Sequence, residues 1–185
     1  MKMIITGITG FIGLNLKEYF KEKYTVTGVS RNQKNDLISY RDLSQDVLNS
    51  SKAFIHLAGK AHDLKKTSQS TEYFEVNNEL TKTLFNKFLE SDCETFIYMS
   101  SVKAVADVVE GVLTEDDKPN PITAYGKSKL AAEQYILSKE ISKDKRVYIL
   151  RPCMTHGPNN RGNLNVLYSF VSKGIPYPFG KYKNK

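Results

Sequence analysis

The sequence predicts an alternating α/β fold, a doubly wound parallel sheet with helices on both faces. Three observations predict it. The chain opens with a short apolar run, Met3 to Ile5, followed at once by Gly7, Gly10 and Gly13 and then by an amphipathic stretch. Further short apolar runs alternate with stretches of helical period along the chain. Three of these runs end in Ala58-Gly59, Ser100-Ser101 and Arg151-Pro152, pairs that suit strand ends. Strands separated by helices need crossover connections, and crossovers make a sheet parallel and cover both of its faces.

Each element has a local reason. Met3 to Thr6 is the first strand, and Phe11 to Glu22 a helix with Ile12, Leu16, Tyr19 and Phe20 on one side. Thr25 to Val29 is the second strand; the polar stretch Asn32 to Asp42 holds at most a short strand near Leu37. Ser44 is a natural N-cap for a short helix through Leu48. Ala53 to Leu57 reads as a buried strand, and Ser70 to Leu89 as one long helix with Phe74, Leu80, Leu84, Phe85 and Phe88 at helical intervals. Phe96 to Met99 is another strand, followed by an acidic loop with Glu115, Asp116 and Asp117 that runs through Pro119 and Pro121. A helix over Thr123 to Lys139, a strand over Arg146 to Leu150 and a helix over Leu164 to Lys173 complete the series.

The chain has 185 residues, 40% hydrophobic and 25% charged, which suits one domain able to bury a core. No apolar run approaches the ~20 residues that span a bilayer, and the first residues lead into the glycine turn rather than a signal peptide. Cys93 and Cys153 are far apart and suggest neither a disulfide framework nor a metal site, so a reducing, cytoplasmic setting is expected. Asn49-Ser50-Ser51 matches a glycosylation sequon by chance on this reading. The net charge of +7 comes from scattered lysines with a late cluster at Lys181, Lys183 and Lys185. No basic stripe is interleaved with aromatics, so nucleic-acid binding is not expected.

Two stretches carry chemistry. In the first, Gly7 allows a tight turn, Gly10 leaves room for phosphates and Gly13 lets the helix lie close on the strand. Three glycines alone also suit a tight turn without a ligand. The second is Tyr125-Gly126-Lys127-Ser128-Lys129, where Tyr125 and Lys129 stand one helical turn apart on a shared face. A nearby ammonium favours the phenolate, so Tyr125 is a candidate acid or base and Lys129 a candidate donor to a ribose. An isolated Tyr-x-x-x-Lys is equally an ordinary surface pair. Ser100-Ser101 at a strand end, where ligands sit in open α/β sheets, favours the catalytic reading.

Taken together, Gly7-x-x-Gly10-x-x-Gly13, Ser101 and Tyr125-x-x-x-Lys129 resemble the extended short-chain dehydrogenase/reductases, and within them the nucleotide-sugar epimerases, reductases and dehydratases. The similarity runs along the whole chain. It includes Asp42-Leu43, His56-Leu57-Ala58-Gly59, Asn77 with Thr81, Pro121-x-x-x-Tyr125-Gly126-x-Ser128-Lys129, and Arg151-Pro152 followed by Gly157-Pro158. The resemblance implies a Rossmann-type dinucleotide-binding domain over 1–160, and over 161–185 the start of a substrate-binding lobe that is largely absent. It implies that Gly7, Gly10, Phe11, Ile12 and Gly13 bind the cofactor pyrophosphate, that Asp42 and Leu43 hold the adenine, and that Leu57, Ala58 and Gly59 line the cofactor. Ser101, Tyr125 and Lys129 correspond to the catalytic triad, with Ser101 and Tyr125 also touching substrate and Tyr125 and Lys129 also touching cofactor. Asn163 and Leu164 match a position that contacts the sugar-nucleotide diphosphate.

The departures from the pattern are informative. Ser30-Arg31 stands after the second strand where members using NAD often carry an acidic residue. A hydroxyl and a guanidinium suit a 2′-phosphate, so the cofactor is NAD or NADP with a lean to NADP. Ser101-Val102-Lys103 replaces the Thr-Asp-Glu of dehydratases and disfavours dehydration. Val105-Ala106-Asp107 replaces the usual Val-Tyr-Gly and leaves the local loop undetermined. His56 reads as a packed, hydrogen-bonded strand residue, and His62 and His156 as loop residues near the site rim, with no spacing that suggests a metal site.

The resemblance therefore implies an NAD(P)-dependent nucleotide-sugar epimerase, acting at C4 of a UDP-hexose or UDP-N-acetylhexosamine through a 4-keto intermediate. Two alternatives stay open, an NADPH-dependent 4-ketosugar reductase and a non-catalytic dinucleotide-binding sensor. Family members continue well beyond this length, so a chain that stops early is expected. A homodimer through the helices at Ser70 to Leu89 and Thr123 to Lys139 is also implied.

Overall fold

The computed structural model describes residues 1–32, 36–61, 69–109, 111–160 and 163–174, with 163–166 as backbone only. It divides into two compact units, Met1–Cys153 and Met154–Lys185. The first holds a six-stranded sheet made of β1 (Lys2–Thr6), β2 (Thr25–Ser30), β3 (Ile38–Ser39), β4 (Ala53–His56), β5 (Thr95–Met99) and β6 (Arg146–Leu150). The strand order is β3-β2-β1-β4-β5-β6 and every pairing is parallel. The chain runs outward from β1 in one direction, then crosses back to β4 on its other side. That reversal opens a crevice at the carboxyl ends of β1 and β4, where Thr6 is in register with His56.

Alternation along the strands builds two cores. Ile4 and Phe54 point to one face, where they join Phe85, Phe88, Phe96 and Tyr98. Phe96 is the hub of this layer, edge-on to Phe54 at 5.2 Å and to Phe85 at 5.0 Å. Met3, Ile5 and Ile55 point to the other face and pack under Leu16 and Phe20 of α1 (Phe11–Phe20). The first face is covered by α2 (Gln45–Asn49), α4 (Leu80–Leu89) and α5 (Ala124–Leu137). Ser44 caps α2 by accepting from the Val47 amide, as its residue type predicts. Lys145 clamps the far end of α4, donating to the carbonyls of Phe88, Ser91 and Cys93 and lying 4.7 Å over the Phe88 ring.

The long helix expected over Ser70 to Leu89 is interrupted. It is built from α3 (Ser70–Phe74), a π-helical turn at Glu75–Glu79, and α4. A π turn inserts an extra residue and rotates the helix beyond it. Here it turns Asn77 and Asn78 into the interior. The sequence carries a trace of this, since the apolar series lapses between Phe74 and Leu80.

The buried face of α5 is unusual for a core helix: Ser128, Lys129 and Glu133 lie on it beside Ala132 and Ile136. Buried charges need partners, and the ends of β5 and β6 supply them. The second unit contains α6 (Asn163–Ser172), which Asn163 and Leu164 begin. Among the described residues no helix is long and apolar enough to cross a membrane.

Candidate active site

The glycine turn is formed by close backbone approach. Gly7 has φ +65°, and a Cβ there would lie 2.7 Å from the Ala58 nitrogen and 2.9 Å from the Leu57 carbonyl carbon. A Cβ at Gly13 would lie 2.4 Å from the Gly7 carbonyl oxygen. The Gly10 amide donates to the Gly7 carbonyl at 2.9 Å, and Gly10 then caps α1 without any side-chain hydrogen bond. The first-turn amides of Phe11, Ile12 and Gly13 thus form the positive end of α1, with no acidic side chain among them. A cavity of about 780 Å³ opens there, lined by Gly7, Gly10, Ser30, Arg31 and the Leu57–Ala61 segment among others. A bare turn, anion-attracting amides and an adjoining cleft fit a dinucleotide pyrophosphate.

Asp42 and Leu43, expected to hold the adenine, follow β3. Leu43 is buried in the main core, and its carbonyl accepts from Lys87 Nζ at 2.7 Å. The Asp42 carboxylate is held by the Ser39 hydroxyl at 2.6 Å. Neither lines the cavity at the glycine turn. Packing claims Leu43 because it follows β3 directly beneath the sheet face. A second cavity, about 510 Å³, is lined instead by Arg31, Asn32, Ser39, Tyr40 and Arg41.

Ser101, Tyr125 and Lys129 are brought together at the carboxyl end of β5. Ser101 begins a 3-10 turn, Val102–Ala104, and its hydroxyl accepts from the Lys103 amide at 3.2 Å. α5 docks on this turn at Gly126, where a Cβ would meet the Lys103 carbonyl oxygen at 2.3 Å. Tyr125 lies in the first turn of α5, close enough to Ser101 for that hydroxyl to act on its phenol. Burial pushes the Tyr125 phenol up, and the Ser101 hydrogen bond opposes it. Tyr73 packs edge-on to Tyr125 with ring centroids 6.4 Å apart.

Lys129 corrects one expectation. Its Nζ donates to the Met99 carbonyl at 2.8 Å and sits 4.8 Å over the Tyr98 ring. Burial draws its pKa down to about 8, against the pull of Glu133. The ammonium is held by Met99 and Tyr98, and burial is the largest influence on Tyr125. A Cβ on Gly59 would meet Lys129 Nζ and Asn77 Oδ1, each at 3.1 Å. Lys129 thus borders the same cleft wall as the glycine turn.

Three supporting groups acquire their partners only in the folded chain. Asn77, fully buried by the π turn, accepts from the Lys60 amide at 2.7 Å and donates to the Lys60 carbonyl and to the Ser128 hydroxyl. Glu133, fully buried on α5, accepts from Ser100 and takes a two-pronged contact from Arg151, Nη2 to Oε2 at 2.6 Å. It ties the ends of β5 and β6 to the helix that carries Tyr125 and Lys129. The third group is a chain of hydrogen bonds through His56. Thr81 donates to the Asn77 carbonyl at 2.7 Å, so its oxygen receives the proton on His56 Nε2. His56 Nδ1 then accepts from Thr6, whose oxygen accepts from the Ala58 amide. Burial keeps this imidazole neutral, with its pKa drawn down to about 3. The packed role expected for His56 is what the structure shows.

Residues 3–175 match the NAD dependent epimerase/dehydratase family. The chain belongs to that family. Among curated relatives, the UDP-glucose 4-epimerase of Vibrio cholerae is 32% identical over 193 aligned residues, covering 96% of this chain and 59% of the relative. Among solved structures, UDP-N-acetylglucosamine 4-epimerase from Bacillus cereus has a TM-score of 0.76 at 26% identity, covering 95% of this chain and 63% of that one. MoeE5 in complex with UDP-glucose and NAD has a TM-score of 0.76 at 26% identity, covering 96% and 63%. The chain therefore spans less than two thirds of the length of these epimerase-family relatives.

His156 is exposed in the second unit, and His62 lies outside the described residues. Asn163 and Leu164 start α6, and only their backbone is described. Among the described residues no group of three His, Cys, Asp or Glu side chains could hold a metal.

Proposed function

We propose that this chain is the dinucleotide-binding part of a nucleotide-sugar 4-epimerase, acting on a UDP-hexose or UDP-N-acetylhexosamine. What supports this reading is that Ser101 and Tyr125 lie close together past the end of β5, while Lys129, one turn further along α5, borders Gly59 in the wall of the cleft that the glycine turn opens. The 4-epimerase relatives support the substrate class. A bound nicotinamide dinucleotide supplies reversible hydride exchange with the sugar carbon. Tyr125 takes the proton from the sugar hydroxyl and later returns it, while Ser101 donates to the same oxygen and orients it. Lys129 leaves Met99 in part to donate to the cofactor ribose, and its charge then favours the Tyr125 phenolate. The amides of Phe11, Ile12 and Gly13 hold the pyrophosphate. Gly7 and Gly59 keep the cleft wall bare so that the ring system can lie against backbone.

NAD is the dinucleotide in the MoeE5 complex, and it supports NAD here. A second reading has its own observation: Arg31 and Arg41 line one cavity with Ser39, a set suited to a 2′-phosphate. With NADP the same triad suits a 4-ketosugar reductase. Mass spectrometry of the cofactor retained by the purified protein, followed by a UDP-sugar panel, tests both. Epimerisation consumes no reduced cofactor, whereas reductase turnover consumes one NADPH per sugar. The two free thiols, buried Cys93 and exposed Cys153, support the cytoplasm as its place of work.

A further inference from the structure

Asp107 lies in the three residues where the chain departs from the usual Val-Tyr-Gly, and the structure gives it four donors. Oδ2 accepts from the amides of Ile122 at 2.7 Å and Thr123 at 2.9 Å. Oδ1 accepts from the Thr123 hydroxyl at 3.0 Å and faces Lys103 Nζ at 3.4 Å. The Thr123 oxygen in turn accepts from the Gly126 amide at 3.1 Å, capping α5. One carboxylate thus joins the segment that begins at Ser101 to the start of the helix that carries Tyr125. A second tie runs in parallel, from the Asn120 amide to the Val105 carbonyl at 2.7 Å. Linked contacts thus run from Ser101 through Lys103 and Asp107 to Thr123 and Gly126, on either side of which the two functional hydroxyls stand.

We propose that Asp107 is a positioning residue that locks the Ser101 loop to the start of α5 and so sets how Ser101 and Tyr125 face each other. The chemistry favours a carboxylate at this point. It satisfies two amides at the entry to α5 that would otherwise lack partners, and its charge complements the positive end of that helix. It also fills that end with a built-in anion. Burial acts to raise the Asp107 carboxyl, but the three donors from Ile122 and Thr123 outweigh it and hold the group below the usual carboxylate range. The charged form of the clamp is thereby favoured.

The proposal rests on Tyr125 being the acid–base group, but its test needs no sugar. Protein labelled with fluorotyrosine is titrated without ligand by fluorine NMR, the Tyr125 resonance being assigned by its loss in Tyr125→Phe. In Asp107→Ala the Tyr125 titration moves to higher pH, because Ser101 is no longer held where it favours the phenolate. Asp107→Asn keeps an oxygen for the two amides and restores most of the shift. Lys145→Met removes the remote clamp on α4, lowers the unfolding midpoint, and leaves the Tyr125 resonance in place. If Asp107→Ala fails to fold, Asp107→Ser is measured against the same criteria. The proposal is overturned if Asp107→Ala, or Asp107→Ser in its place, titrates as the unmodified protein does, or if Lys145→Met moves Tyr125 as far as that variant does. A failure of sugar turnover with the Tyr125 shift intact overturns the epimerase reading and leaves the clamp standing.

Discussion

Lys129 donates from Nζ to the carbonyl of Met99 at 2.8 Å, anchoring α5 to the last residue of β5. The bond holds a buried ammonium at the cleft wall and leaves it able to titrate near pH 8. A lowered lysine pKa means that the neutral amine gains ground as pH rises through that value. The neutral amine is a poorer donor to a ribose. NADH affinity is therefore expected to be constant below about pH 7 and to weaken through the pH 8 region. In Lys129→Met the affinity is lower and this inflection is absent. Fluorescence titration at a series of pH values reads both. An unchanged inflection in the variant removes Lys129 from the cofactor site.

Gly13 and Gly59 separate a folding requirement from a binding one. A Cβ at Gly13 meets backbone atoms at 2.4 and 2.5 Å, which cannot move without displacing α1 from β1. Gly13→Ala is expected to cost about 2–3 kcal/mol in urea unfolding. A Cβ at Gly59 meets two side-chain tips at 3.1 Å. Gly59→Ala should fold with nearly unchanged stability and lose dinucleotide affinity, because Lys129 and Asn77 are pushed aside. Equal losses of stability in the two variants contradict this division.

His56 links stability to acid. Its ordinary pKa of 6.5 falls to about 3 in the folded protein. Between those values the unfolded chain binds a proton and the folded one does not, so stability falls as pH drops through that window. The slope from this residue is about 1.4 kcal/mol per pH unit, or about 2 kcal/mol between neutrality and pH 5. Above pH 6.5 it contributes no slope. Urea unfolding of the protein and of His56→Gln at both pH values isolates the effect, and an equal acid loss in the two shows that His56 is not its source.

Glu133 and Arg151 form a pair in which one partner is fully buried and the other half-buried. Glu133→Ala strands the guanidinium, frees Ser100, and is expected to cost about 3–5 kcal/mol. Replacing both residues by Met restores much of that stability, since the desolvation of two charges is no longer required. It does not restore turnover if the pair also holds the ends of β5 and β6 against α5. Chemical denaturation and sugar assays on the single and double variants measure the two roles separately.

Much of the fold was legible in the sequence. Every strand was foreseen within a residue or two, though β3 only as a short strand near Leu37, since two residues in a polar stretch are too few to show a period. The site was legible as a spacing, Gly7 to Gly13 and Tyr125 to Lys129. Its electrostatics were not. The sequence suggested an ammonium acting on Tyr125, whereas burial dominates that phenol and Met99 holds the ammonium. Glu133 looked like any helix-surface acid, because nothing near it in the chain reveals Ser100 and Arg151 as its partners.

What the sequence determined by itself rests on short-range stereochemistry. Apolar period sets strand or helix, glycine permits the tight turn at Gly7, Thr123 caps α5, and one helical turn places Lys129 beside Tyr125. All of these act within a dozen residues of chain. What tertiary structure decided depends on desolvation and on contacts between distant segments. The π turn that buries Asn77, the neutral state of His56, the partner of Lys129 and the four donors around Asp107 belong to this second group. Each requires strand ends and helices to meet in space, and the energy of a charge or proton is fixed only once water has been excluded from around it.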